Sequence, residues 1–353
     1  MAEKIQPSIW SIDKFYDWSK SKLLVYGNLS SDIAMGGGIP MGSMILVGGA
    51  QGLGKSTWSW QYAVYGNNLY NCPIFFFGPE NRLKYHTLNQ IRDLDKKKDT
   101  IKSINPPEIK DSSGDTIGFE KWPAEEWFEQ IGTVIKNNTK SMIIVDSLGQ
   151  LSSDSEMSEG VGYEDRGKSK KIESSFIRQY GDIAISNQHI VFLITQIIAN
   201  TSGYGAHTSL VAANKTKFQS DFILWATHAT KWQPSQKTGR ILGHDINWKV
   251  DKSNIGPSKD IIVPLRYGYG IDNVLDTIRH SVSFGLISQA GAWFQIPFVN
   301  PDKPEFVDEI SKDCIKLQGE NKVWQWFLIR PKELKTLESS IRQKLFATTI
   351  EDI

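Results

Sequence analysis

Apolar runs at Met44 to Val47, Pro73 to Phe77, Met142 to Val145, Ile190 to Thr195 and Phe222 to Ala226 are too short for helices and too continuous for half-exposed strands. They read as buried strands. Helical or polar stretches separate the earlier ones, and strands alternating with helices predict an α/β fold whose central sheet is mostly parallel and covered on both faces. Ahead of the first run, residues 1–29 are polar with scattered aromatics. The period of Trp10, Phe15 and Trp18 predicts one short amphipathic helix before a turn at Gly27 and Asn28, so this stretch reads as an arm. Beyond Gly270 the pattern changes to helix-like segments, Val274 to Phe284 and Lys332 to Phe346, mixed with short strands. The expected organisation is therefore an arm at 1–29, a core at 30–270 and a small α+β C-terminal domain at 271–353. The segments share no repeat and include no low-complexity tract.

Composition narrows the function classes. At 353 residues the chain exceeds what one core usually organises, and 40% hydrophobic content suffices for a packed interior. Forty basic against 39 acidic side chains leave a formal charge of +1, so any polyanion must be met by a local patch rather than a basic coat. Cys72 and Cys314 stand far apart, which removes a disulfide framework and a cysteine zinc site and fits a reducing cytoplasm. The six histidines lack metal-ligand spacing, and neither a signal-peptide core nor a membrane-spanning run is legible.

The chemistry concentrates at strand ends. Gly49-Ala50-Gln51-Gly52-Leu53-Gly54-Lys55-Ser56 joins a predicted strand to a predicted helix and has phosphate-loop spacing. Its glycines turn backbone N–H groups inward, Lys55 places a cation at the β/γ oxygens, Ser56 offers a hydroxyl to Mg²⁺, and the helix dipole points at the same anion. The strand Met142 to Val145 ends in Asp146, the place of a carboxylate that serves Mg²⁺ beside such a loop. Pro73 to Phe77 runs into Gly78-Pro79-Glu80. Glu80 is a candidate base for the attacking water, or an exposed loop glutamate. Ile190 to Thr195 ends at Gln196, and a polar stretch from Asn200 to Asn214 follows. An amide there can report nucleotide state to that stretch, or simply close a strand.

Charge switches abruptly further on. Asp154 to Asp165 carries five acids, whereas Arg166 to Arg178 carries five bases and the single acid Glu173. Ile172, Phe176, Tyr180 and Ile183 recur at helical spacing, and Lys171 and Arg178, seven apart, share another face. That face can line up on successive phosphates or be an ordinary solvated surface. The twelve tryptophans read mostly as core or interface residues.

Taken in order, these pieces resemble the RecA family of recombination ATPases from about Ser30 to Phe346. The resemblance rests on Ser31 to Gly42 ahead of the phosphate loop, on Ile143 to Leu148, on Thr195-Gln196-Ile197, and on two C-terminal segments, Tyr267 to Asp272 and Gln289 to Phe294. It implies a RecA-like phosphate-loop ATPase core that uses ATP and Mg²⁺. Glu80 would be the catalytic glutamate and Gln196 the sensor; Gly49, Gly52, Gly54, Lys55, Ser56, Thr57, Tyr85 and Asp146 would hold the nucleotide, with Ser56 and Asp146 at the metal. Gly149 to Asp165 and Ile197 to Lys217 would be DNA loops. Arg166, Lys170, Lys171, Arg178, Asn200, Asn214 and Lys217 would meet DNA, and Lys252 would reach the γ-phosphate of a neighbouring subunit.

The chain also departs from the family pattern. Asn254 stands where a second lysine is expected, Ala212 and Ala213 replace paired glycines, and Gly78 replaces an aspartate. These departures make it more similar to a bacteriophage recombinase of the UvsX type than to a bacterial RecA. The implied partners are single-stranded DNA, homologous double-stranded DNA, further copies in a helical filament assembled through the arm, and single-strand-binding and mediator proteins. No membrane is implied, and the compartment is the cytoplasm, the host's if the gene is a phage's. A hexameric helicase and a DNA-independent regulatory ATPase are the competing readings.

Overall fold

A computed structural model describes residues 23–80, 88–94, 99–158, 166–199, 208–232, 239, 241–254 and 260–346. The expected Trp10 to Trp18 helix lies outside them. A nine-stranded sheet dominates. Its strands are β1 (Met44–Gly49), β2 (Ile74–Phe77), β3 (Ile101–Ile104), β4 (Met142–Asp146), β5 (Ile190–Ile194), β6 (Phe222–Lys231), β7 (Gly243–Ser253), β8 (Asp260–Arg266) and β9 (Gly270–Ile271). Across the sheet they run β9-β8-β7-β6-β1-β5-β4-β2-β3. From β6 to β3 every pairing is parallel, as the buried apolar runs predict. The β6 to β9 side is an antiparallel wing, which the alternation of strand and helix did not reveal.

Among the described residues, the helices of six or more residues are α1 (Leu29–Ala34), α2 (Lys55–Tyr70), α3 (Ala124–Asn137), α4 (Arg166–Ser186), α5 (Asn214–Gln219), α6 (Asn273–Ser283), α7 (Glu320–Leu328) and α8 (Pro331–Phe346). Strand alternation sorts the side chains into two cores. Ile45 and Val47 of β1 face one way, toward Trp58 and Tyr62 of α2, and the wing adds Ile246, Trp248 and Val250 to that side. Met44 and Leu46 face the other way, toward Phe128 and Ile131 of α3 and Phe176 and Tyr180 of α4. The spacing of Phe176 and Tyr180 thus marks the buried stripe of α4. Most described tryptophans are buried or half-buried, although Trp293 is 52% exposed.

A third cluster joins α6, α7 and α8 through Val274, Ile278, Phe327, Leu337 and Ile341, and it takes in Leu29 from α1. A buried polar seam fastens α1 on both sides. Asn28 caps α1 by accepting from the Ser31 N–H, and its amide donates to Asp276 Oδ2 at 2.8 Å. Trp58 Nε1 donates to Ser31 Oγ, and the Tyr62 hydroxyl donates to Asp32 Oδ1 at 2.8 Å. From α8, Arg342 donates to Asp32 Oδ2 at 2.7 Å. The helix that opens at the phosphate loop is thereby tied, through α1, to the C-terminal helices.

Burial pushes the Asp32 carboxyl up to about 6 even with Arg342 beside it. The folded value lies above the ordinary 3.8, so the contribution of this group to stability is fullest below about pH 4 and is lost as pH rises through about 6. Arg342→Met leaves a buried carboxylate without its cation and raises that value further. The variant is expected to lose about 3 kcal/mol near pH 8 and less near pH 5, where Asp32 is mostly protonated in either protein. Urea unfolding at the two pH values measures the difference.

Candidate nucleotide and polyanion site

Four neighbouring parallel strands, β1, β5, β4 and β2, end side by side, with Val47 level with Ile194, Ile194 with Asp146, and Val145 with Phe77. Their carboxyl ends carry the phosphate loop, Gln196, Asp146 and Glu80. Residues spread over some hundred and fifty positions meet there because of strand order alone, as expected for the carboxyl edge of an α/β sheet.

The glycines of the loop are required where they stand. Gly49 has φ 145°, and a Cβ there would lie 2.6 Å from the Ala226 carbonyl oxygen on β6. Gly52 and Gly54 have φ 78° and 72°, in the left-handed region, and Gly54 caps α2. The N–H groups of the first turn of α2 are then free to meet an anion. Lys55 Nζ donates to the carbonyls of Gly49 and Ala50 at 2.9 and 2.8 Å. Burial lowers the pKa of its ammonium, while Asp146 and Glu80 pull it back up. Thr57 is buried in the first turn behind Ser56.

Ser56 Oγ donates to Asp146 Oδ2 at 2.5 Å. Burial raises the Asp146 pKa, Ser56 and Lys55 oppose the shift, and Glu80 adds to it. A hydroxyl and a carboxylate side by side next to the phosphate loop form a hard-oxygen pair that suits Mg²⁺. Among the described residues there is no group of three His, Cys, Asp or Glu that could hold a metal by itself. The pair therefore fits an ion that draws its remaining ligands from phosphates and water. Such an ion would neutralise charge on the transferring phosphoryl group.

Glu80 is not a free loop carboxylate. Its Oε1 accepts from the buried Ser147 hydroxyl at 2.6 Å and from Gln196 Nε2 at 3.3 Å. The sequence reading passed over Ser147, although it directly follows Asp146; its role appears only when β2 is placed beside β4. Two donors on one oxygen leave the other to accept from a water, which is what a base for hydrolysis needs. Tyr85 lies outside the described residues.

The basic candidates converge on the opposite face from α2. Lys170, Lys171 and Arg178 of α4 line a cavity of about 490 Å³ together with Asn214, Lys215 and Lys217 of α5. Burial lowers the Lys217 pKa and Lys170 lowers it further, so these cations are close enough to repel. Arg166 begins α4, and Asn200 lies outside the described residues. Ala212 and Ala213 need no glycine backbone here: both are buried, and Ala213 caps α5 at φ −64°.

Lys252 is held apart from the phosphate loop of its own chain. It pairs with Ile223, which pairs with Leu46, three residues before Gly49 and so about 10 Å along the strand toward its amino end. Its Nζ donates to the Phe218 carbonyl at 2.7 Å, and Asn254 Nδ2 donates to Asp221 Oδ1 at 2.8 Å.

Comparison with known proteins gives this geometry a family context. A family model described as "ATPase: KaiC" matches residues 9–163. Protein RecA of Petrotoga mobilis is 24% identical over 341 residues, which are 96% of this chain and 84% of that protein. The α/β core with its mostly parallel central sheet is consistent with the core of such ATPases. Protein RecA of Oleidesulfovibrio alaskensis is 23% identical over 273 residues, 76% of this chain and 71% of that protein. The KaiC match ends before α4 and Gln196. The alignment with the Petrotoga protein, by contrast, is long enough to include the cavity between α4 and α5. Among the described residues, no helix is long and apolar enough to cross a membrane.

Lys55→Ala should weaken ATP binding by about a hundredfold or more, because loop backbone alone leaves the β/γ charge poorly compensated. Calorimetric titration with ATP reads this directly, and undiminished affinity would remove the loop from the nucleotide site.

Proposed function

We propose that this protein is a DNA-dependent ATPase that polymerises on single-stranded DNA, pairs it with homologous double-stranded DNA and exchanges strands. The observation that carries the reading is the basic cavity between α4 and α5, at the end of the same 196–213 segment whose first residue, Gln196, touches Glu80. A net charge of +1 makes a local convergence of five cations notable. Contacts from flexible lysines and Arg178 suit phosphates rather than base edges, so sequence is read by base pairing and not by side chains.

In this scheme the phosphate loop and Lys55 hold the triphosphate, Ser56 and Asp146 hold Mg²⁺, and Glu80, aimed by Ser147 and Gln196, takes a proton from the attacking water. The setting of Lys252 back from the phosphate loop of its own chain is consistent with a role at a neighbour's nucleotide. Delivered by a neighbouring protomer, its ammonium would stabilise the γ-phosphate only once a filament exists. Asn254 can donate a hydrogen bond but no charge, so each interface would hold one such cation. The departures at Ala212, Ala213 and Asn254 favour a phage recombinase of the UvsX type, acting with single-strand-binding and mediator proteins in the host cytoplasm, and the 1–29 arm would serve assembly.

Lys171→Ala combined with Arg178→Ala should weaken single-stranded DNA binding for every sequence and flatten the slope of log affinity against log salt by about one to two units, with ATP binding retained. Fluorescence titrations over a salt series measure this; an unchanged slope would return the α4 face to plain surface. DNA stimulation of hydrolysis separates the recombinase from a regulatory ATPase, and helical filaments rather than closed rings in electron micrographs separate it from a helicase. For Lys252, protomers carrying Lys252→Ala mixed with protomers carrying Glu80→Gln should regain hydrolysis, since some interfaces then pair an intact Glu80 with an intact Lys252. Mixed filaments containing both proteins but showing no recovery would place Lys252 outside the shared site.

A further inference from the structure

Glu173 is the single acid in the basic run from Arg166 to Arg178. It is 7% exposed and sits behind the basic cavity, whose charged lining is all cations, lining instead a neighbouring cavity with Lys170 and Glu156. One carboxylate oxygen, Oε1, accepts from the Ala213 N–H at 2.9 Å and from the Thr216 hydroxyl in a shorter contact. Ala213 caps α5 and Thr216 lies in its first turn, so the two bonds fasten the amino end of α5 to the middle of α4. Burial raises the Glu173 pKa, while these bonds, Lys170 and Lys217 oppose the shift.

The fastening continues into the nucleotide site. The Val211 N–H donates to the Gln196 carbonyl at 2.9 Å, and the Thr195 hydroxyl donates to the Val211 carbonyl at 2.5 Å. Ile197–Ala199 pairs antiparallel with Thr208–Leu210, so Gln196 sits at the base of a hairpin whose return strand leads within three residues to Ala213. Gln196, which touches Glu80, is thus linked through Val211 to the residue that Glu173 holds.

We infer that Glu173 is a positioning residue that registers the Gln196 hairpin and α5 on α4, so that Lys215 and Lys217 complete one wall with Lys170, Lys171 and Arg178. The inference rests on the DNA reading above and assigns it a further residue. Electrostatics alone argues against an acid beside bound phosphates; the hydrogen bonds supply the reason for its presence. Geometry and charge therefore predict opposite outcomes for two substitutions.

Glu173→Ala leaves a buried N–H and a hydroxyl without their acceptor and frees α5. Glu173→Gln keeps an acceptor oxygen on the same stem and removes the charge. Three measurements are made on the full chain: single-stranded DNA affinity over a salt series, thermal melting, and amide hydrogen exchange at Ala213. For Glu173→Ala the expectation is DNA binding weaker by about tenfold or more, a salt slope smaller by about one to two units for the displaced lysines, and faster exchange at Ala213. Glu173→Gln should bind DNA at least as tightly as the parent, with an undiminished slope and a protected Ala213 amide.

Equal losses of DNA binding in the two variants, or an unchanged slope in a folded Glu173→Ala protein, would overturn the inference. A lower melting temperature with the parent slope would reduce Glu173 to a stability role and overturn it equally. If the parent itself fails to bind DNA, the recombinase reading falls, while exchange at Ala213 still decides whether Glu173 holds the hairpin: protection unaltered by Glu173→Ala overturns the tie.

Discussion

The close approach of Gly49 to the Ala226 carbonyl at the end of β1 is the constraint on which the rest depends. A loop can offer its N–H groups to an anion only if its residues accept left-handed or extended conformations without a Cβ, and Gly49 lies so near the Ala226 carbonyl that no side chain fits. That proximity in turn requires β6 to run beside β1. The antiparallel wing is thus part of the wall behind the nucleotide site as well as an extension of the sheet.

Around that loop the charges are few and mutually dependent. Lys55, Asp146 and Glu80 are partly withdrawn from water, and each acts on the ionisation of another. Burial disfavours the charged forms of Lys55 and Asp146, whereas each favours the charge of the other, so the set works as a unit rather than as separate residues. The triphosphate and cation proposed above would add both signs of charge at once, to a hydroxyl, carboxylate and ammonium already held in place. Ser147 and Gln196 do the equivalent for Glu80 by hydrogen bonding, without adding charge.

Two polar ties carry the local geometry outward. One runs from α2 through Ser31 and Asp32 to Arg342, and fixes the C-terminal helices against the helix that opens at the phosphate loop. The other runs from Gln196 through Val211 and Ala213 to Glu173, and fixes α5 against α4. Both place a carboxylate in the interior, at a desolvation cost that apolar packing would avoid. Directional bonds specify one arrangement of neighbouring elements where apolar contacts would tolerate several.

What the sequence by itself determined was local: the five buried strands, the glycine spacing of the phosphate loop, the carboxylates and amide at strand ends, and the seven-residue interval that puts Lys171 and Arg178 on one side of α4. Each is decided by neighbours within about ten positions, through backbone sterics and helical or strand periodicity. The antiparallel wing escaped notice because β7 alternates buried with exposed residues, and its partners lie in other segments. Only the tertiary structure set Ser147 against Glu80, brought α5 to α4 and converted Glu173 from an exception in a basic run into an acceptor for Ala213 and Thr216. Strand order and helix docking follow from the packing of whole faces, and residues that share a face through contacts dozens of positions apart leave no periodic trace in the chain.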